Sequence, residues 1–238
     1  MTRPQDIGCL LLHGFTSSPA EMKELAASLR VQGYRLHLPV LPGHAATPDA
    51  LLEVSYRDWL NTAEAAFRHL QNETKKQIVI GLSLGGALAL HLAANLVFSG
   101  VVALAPALWV PKWKEYVAYL MGAMLKTRRK ARGPDVNDSR GRALLESYNE
   151  YPYTALYEVF NLQRLVRGEL GQIEMPVLLI HSQRDHVVPI KNLQFAAARV
   201  KSSHLEKMVV AESYHVLTVD RDREQIFQRI HAFIQKVI

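Results

Sequence analysis

Six short, largely apolar runs of strand length recur along the chain with helix-like segments between them. They are Ile7 to Leu12, Arg35 to Leu38, Gln77 to Gly81, Gly100 to Leu104, Val177 to His181 and Glu206 to Val210. Strands apolar along their whole length are buried on both faces, and their alternation with helices marks an α/β protein, a mainly parallel sheet wrapped by helices. The intervening patterns predict helices at Pro19 to Gln32, Ser55 to Gln71, Leu84 to Leu96, Ile190 to Val200 and Asp220 to Val237. Pro19 is placed to open the first of these and Gly33 to end it.

With 238 residues, 49% of them apolar, there is ample chain to bury one core, and disordered or fibrous classes drop out. Between Ile78 and Val110 there is no Asp, Glu, Lys or Arg. Gly81, Ser83, Gly85, Gly86, Ser99, Gly100 and Pro106 punctuate this stretch, which reads as strand, turn, helix and strand of a buried core rather than as a membrane span. The single cysteine, Cys9, forms no internal disulfide and reads as a buried strand residue. The apolar run at Ile7 to Leu12 is too short for a signal peptide or a span. A cytoplasmic protein is expected.

The alternation stops between about Ala107 and Gln172. This segment holds two of the three Trp, six of the nine Tyr, and 11 Lys or Arg against 7 Asp or Glu, so it supplies +4 of the net +6. It reads as a helical cap, residues 107–172, inserted into a core formed by residues 1–106 and 173–238. Trp109, Trp113, Tyr116 and Leu120 fall at helical spacing and form one apolar stripe. The stripe either seals the insertion onto the core or contacts substrate, and it does both if it roofs a pocket. Lys126 to Arg132, KTRRKAR, carries five positive charges and reads as a solvated helical face. No recognition motif accompanies it, so no nucleic-acid partner is expected; weak contact with an anionic lipid surface is the alternative use.

Gly81 to Gly85 spell GLSLG, a G-x-S-x-G directly after one predicted strand and before a predicted helix. A serine on such a tight turn lifts its hydroxyl above the sheet, where a side chain on either glycine would strike neighbouring backbone. A serine hydroxyl is a weak nucleophile at neutral pH, so it needs a base and a third group to orient that base. In this architecture acid and base follow the serine in that order, each in a loop at the carboxyl end of a strand. Asp185 in HSQRDHVVP and His215 in ESYHVLTVD occupy those loops. Glu206 and Glu212 lie in or near the last strand, and Asp220 and Asp222 sit where a helix start favours acids. His181, His186, His204 and His231 read as packing or surface residues. Acyl transfer also needs backbone donors for the oxyanion; the N–H of Leu84 at the helix start and that of Phe15, after His13 and Gly14, are placed to supply them.

LLHGFTSSP, LPGH, the Asp58–Trp59 pair, GLSLGGALAL, RDHVV and YHVLTVD together resemble the small bacterial carboxylesterases and monoacylglycerol lipases of the α/β-hydrolase superfamily. The likeness runs over nearly the whole chain and is weak only in the insertion. It implies the α/β-hydrolase fold, Ser83 as nucleophile, Asp185 as acid, His215 as base, and Phe15 and Leu84 as oxyanion donors. Ala45 and Tyr214 stand where the family often has glycine, and His44 reads as a loop-fixing residue. The expected activity is hydrolysis of a small carboxylic ester or monoacylglycerol through an acyl-enzyme, with no metal or organic cofactor. Phe15, Trp109, Trp113 and Tyr116 are the candidate substrate contacts. Thioester hydrolysis or acyl transfer on the same triad, and a ligand-binding protein of low activity, are the alternatives.

Overall fold

The computed structural model describes residues 3–130, 133–145 and 147–238. Its six parallel strands are β1 (Ile7–Leu12), β2 (Arg35–His37), β3 (Lys76–Leu82), β4 (Gly100–Leu104), β7 (Val177–Ser182) and β8 (Leu205–Val210), in the spatial order β2-β1-β3-β4-β7-β8. Every residue of β1, β4 and β7 is buried, which is why these strands are apolar without alternation. The edge strand β8 is half exposed, and it is there that Glu206 and Lys207 occur; Glu206 pairs with Arg229 and Lys236. Cys9 is fully buried in β1, in register with Leu36 and Ile78.

Helices α2 (Tyr56–Glu73), α3 (Leu84–Asn95), α6 (Tyr153–Glu169) and α7 (Lys191–Ala197) cover one face of the sheet, and α1 (Lys23–Val31) and α8 (Arg223–Val237) the other. Helix α2 follows from its sequence. Ser55 and Asp58 form a capping box, and Trp59, Ala63, Ala66, Phe67 and Leu70 make the buried stripe. The Trp59 indole N–H donates to the Pro42 carbonyl at 3.1 Å, which ties that stripe to the loop after β2.

The first helix is shorter than its pattern, because Pro19–Met22 forms a 3-10 turn before α1. Helix α8 begins three residues later than expected. The fully buried Asp220 carboxylate instead accepts the amides of Asn137, Asp138, Tyr214 and Arg221 at 2.7–2.8 Å, so it serves as a bracket between loops.

Between β4 and β7 the chain leaves the sheet and forms α4 (Lys112–Met124), β5 (Thr127–Arg129), α5 (Ser139–Ala143), β6 (Glu150–Pro152) and then α6. The cap is therefore not purely helical: β5 and β6 pair antiparallel, with Arg128 opposite Tyr151. The basic run expected as a helical face supplies β5; its last residues, Ala131 and Arg132, lie outside the described residues. Non-local bonds decide this. Lys130 N–H donates to the Asn149 carbonyl at 2.7 Å, and Tyr148 reaches the core through the carbonyls of Thr16 and Gly43, each at 2.9 Å.

The aromatic stripe also turns the other way. Trp113, Tyr116 and Leu120 are 64%, 71% and 54% exposed, while α4 packs on α6 through Ala118 and Met121, beside Val110. A Cβ on Gly122 would overlap the Tyr157 ring, so the small residues mark the face where the two helices approach. Among the described residues no helix is long and apolar enough to cross a membrane.

Candidate active site

Strand β1 lies between β2 and β3, so the chain passes to opposite sides of it and leaves a crevice at the carboxyl ends of β1 and β3. Gly14 and Phe15 follow β1 there, and Ser83 follows β3. Ser83 has φ 57° and ψ −112°, a conformation that costs a side-chain-bearing residue about 1–3 kcal/mol. Three backbone bonds hold it: Ser83 N–H to the Leu104 carbonyl at 2.9 Å, and the Ser83 carbonyl to the amides of Ala87 and Ala107 at 3.1 Å. The flanking glycines are steric necessities. A Cβ on Gly81 would overlap the Gly85 carbonyl, and one on Gly85 the Leu12 carbonyl.

His215 Nε2 lies 2.9 Å from Ser83 Oγ, and His215 Nδ1 lies 2.7 Å from Asp185 Oδ2. A carboxylate only accepts, so Nδ1 carries the proton and Nε2 presents a lone pair to the serine hydroxyl. Asp185 is itself fixed: its Oδ1 accepts the amides of Val187 and Val188 at 2.8 Å, and Oδ2 lies 3.3 Å from Nε2 of the fully buried His181. Burial opposes ionisation of Asp185, but the facing His215 and the hydrogen bonds from both histidines hold its carboxyl well below the usual range. For His215 burial favours the neutral ring, and the charge and hydrogen bond of Asp185 override it and raise the pKa above 6.5.

The loop after β1 is pinned from two sides. His13 accepts the Leu41 amide at Nε2 (3.1 Å) and donates from Nδ1 to the Gly14 carbonyl (2.9 Å); burial drives its pKa down to about 3, so it stays neutral. The buried Glu21 carboxylate accepts the Gly14 amide at 2.8 Å, and burial raises its pKa. Phe15 and Leu84 line the same cavity as Ser83, and Leu84 opens α3, where amides have no partner within the helix. The Phe15 ring meets Tyr151 of the cap edge-on at 5.3 Å. His44 holds the Pro42 carbonyl at 3.0 Å, a loop-fixing contact.

The cavity above Ser83 measures about 480 Å³. Val110, Leu156, Val159, Phe160, Val187 and Val188 give it an apolar wall, and Lys114, Arg128, Arg129 and Lys130 also line it. Of the four substrate contacts expected from the sequence, Phe15 lines the cavity. Trp109, Trp113 and Tyr116 do not: Trp109 packs partly buried against the core, and the other two face outward.

Glu21 and Asp135 carry no motif, and Lys130 shows in the sequence only as one charge of the basic run Lys126 to Arg132. Asp135 comes from the cap, accepting the amides of His186 and His215 at 3.2 Å and lying 2.9 Å from the His186 ring. Burial brings the Lys130 ammonium down to about 8, against the pull of Glu21.

Residues 4–222 match the family described as serine aminopeptidase, S33. The thermostable monoacylglycerol lipase of Bacillus sp. (strain H-257) is 30% identical over 233 residues, covering 97% of this chain and 91% of that protein. The carboxylesterase of Bacillus subtilis (strain 168) is 25% identical over 233 residues, covering 98% and 94%. A solved structure from work on the metagenome-derived lipolytic enzymes LipS and LipT superposes with a TM-score of 0.93 at 30% identity, covering 99% of this chain and 96% of that one. The chain belongs to this family of α/β-hydrolases and is a hydrolase of the esterase and lipase type.

Proposed function

We propose that the protein hydrolyses carboxylic esters through an acyl-enzyme formed on Ser83, with His215 as general base and acid and Asp185 as its orienting partner. The observation that carries this reading is the continuous relay, 2.9 Å from Ser83 Oγ to His215 and 2.7 Å on to Asp185, at the floor of a largely apolar cavity. His215 takes the Ser83 proton as the oxygen attacks the ester carbonyl, and the negative oxygen is received by the amides of Phe15 and Leu84. The alcohol leaves with the proton from His215, and water repeats the sequence to release the acid. Short or medium acyl chains, including those of monoacylglycerols, suit the wall made by Val110, Leu156, Val159 and Phe160.

The pH dependence tests the relay. His215 must be neutral to accept the Ser83 proton, so kcat/KM rises with pH through the His215 ionisation. Because Asp185 raises that pKa, the acidic limb of the wild type lies above the ordinary 6.5. In Asp185→Asn the limb is expected at lower pH, with kcat reduced by roughly 10⁴-fold. A limb that stays in place in Asp185→Asn contradicts the assignment.

A further inference from the structure

The charges that line the cavity carry an inference about the substrate, which rests on the ester-hydrolase reading. Four lining side chains are cationic, Lys114, Arg128, Arg129 and Lys130, against two carboxylic ones, Glu21 and Asp135. Both acids are engaged elsewhere: Glu21 holds the Gly14 amide, and Asp135 holds His186 and the His215 amide. Among the described residues none of the four cations has a carboxylate within 4.0 Å.

Lys130 is held inward by the cap hairpin. Its amide donates to Asn149, and the Tyr148 amide next in that hairpin donates to Thr16, adjacent to Phe15. Among the described residues its ammonium makes one hydrogen bond, to Ser147 Oγ at 3.0 Å, and it has three protons to give. Arg128 lies two residues earlier, in β5, which ends at Arg129, and its side chain lines the same cavity. A neutral ester would leave the half-buried Lys130 ammonium unmatched beside an apolar wall, whereas a phosphate or carboxylate would accept from it and draw in the exposed Arg128 guanidinium at the cavity mouth.

We infer that Lys130 and Arg128 form an anion subsite, and that the preferred substrate is an ester bearing a phosphate or carboxylate at a distance from the scissile bond.

The test compares 1-hexanoylglycerol with 1-hexanoylglycerol 3-phosphate, both below aggregation and without membranes. The wild type is expected to favour the phosphorylated ester in kcat/KM by roughly 10- to 100-fold. That ratio is expected to collapse toward parity in Lys130→Met and to be largely restored in Lys130→Arg, whatever either substitution does to the neutral ester. The ratio is an internal reference, so partial loss of folded protein does not imitate the result. A wild type that hydrolyses both esters without preference, or a Lys130→Met variant that keeps the preference, overturns the subsite and leaves the ester reading standing. A wild type that hydrolyses neither overturns both. A preference that appears only with anionic vesicles, and follows the exposed Lys126 rather than Lys130, overturns the subsite in favour of surface attraction.

Discussion

Alanine in place of His215 is expected to lower kcat for ester hydrolysis by roughly 10⁴- to 10⁶-fold while KM changes little. The reason is the position of one lone pair. His215 Nε2 is 2.9 Å from Ser83 Oγ, and the two carboxylates that line this cavity are committed elsewhere, Glu21 to the Gly14 amide and Asp135 to His186 and the His215 amide. Without the imidazole no base is in place to take the serine proton as the carbonyl is attacked, nor to return it to the leaving alcohol. Binding draws on the cavity walls, which the substitution leaves intact, so the loss belongs in kcat. Residual turnover above the uncatalysed rate is expected from the oxyanion donors alone. Steady-state kcat and KM on a short-chain nitrophenyl ester measure this, and a variant that raises KM while keeping kcat contradicts the role.

The second large effect is structural. Gly85→Ala is expected to destabilise the fold by ~3 kcal/mol or more, since a methyl there overlaps the backbone carbonyl of Leu12 and crowds that of His13. Neither neighbour can yield cheaply. Leu12 ends β1, which is paired on both sides by β2 and β3, and β3 delivers Ser83 itself. At this chain size the loss corresponds to a fall in Tm of roughly 6–12 °C. Gly168→Ala is the control. It lies exposed in α6 with open space around its Cβ position, and the helix gains about 1 kcal/mol or less from the exchange. Calorimetry of the two variants separates a steric requirement at the Ser83 turn from a general sensitivity to glycine loss. Equal melting points for Gly85→Ala and wild type would remove the steric argument.

Much of the core was legible because its strands announce themselves. Ile7 to Leu12 and Val177 to Ser182 are buried on both faces, so burial writes an uninterrupted apolar run into the sequence. The G-x-S-x-G turn, and the loop positions of Asp185 and His215, follow from strand order, and the structure brings these three side chains together across 132 residues of chain. The cap was harder to read because its contacts are not periodic. Strand β5 is made of Thr127, Arg128 and Arg129, all exposed, and exists through its pairing with residues 150–152. The bulky stripe Trp113, Tyr116, Leu120 misleads for a related reason: close packing of α4 on α6 selects Ala118 and Gly122, and the large side chains are left outside. Glu21 and Asp135 have no local signal, since their neighbours come from other elements, and the basic run around Lys130 does not tell which of its charges turns into the cavity.

In the proposed mechanism Ser83 is the group that becomes acylated. Mass spectrometry of the protein after reaction with a fluorophosphonate tests it most directly, with peptides mapped and the Ser83→Ala variant run alongside. A single adduct on Ser83 is expected in the wild type, and neither adduct nor ester turnover in Ser83→Ala. An adduct on another residue, or ester hydrolysis that survives in Ser83→Ala, would contradict it.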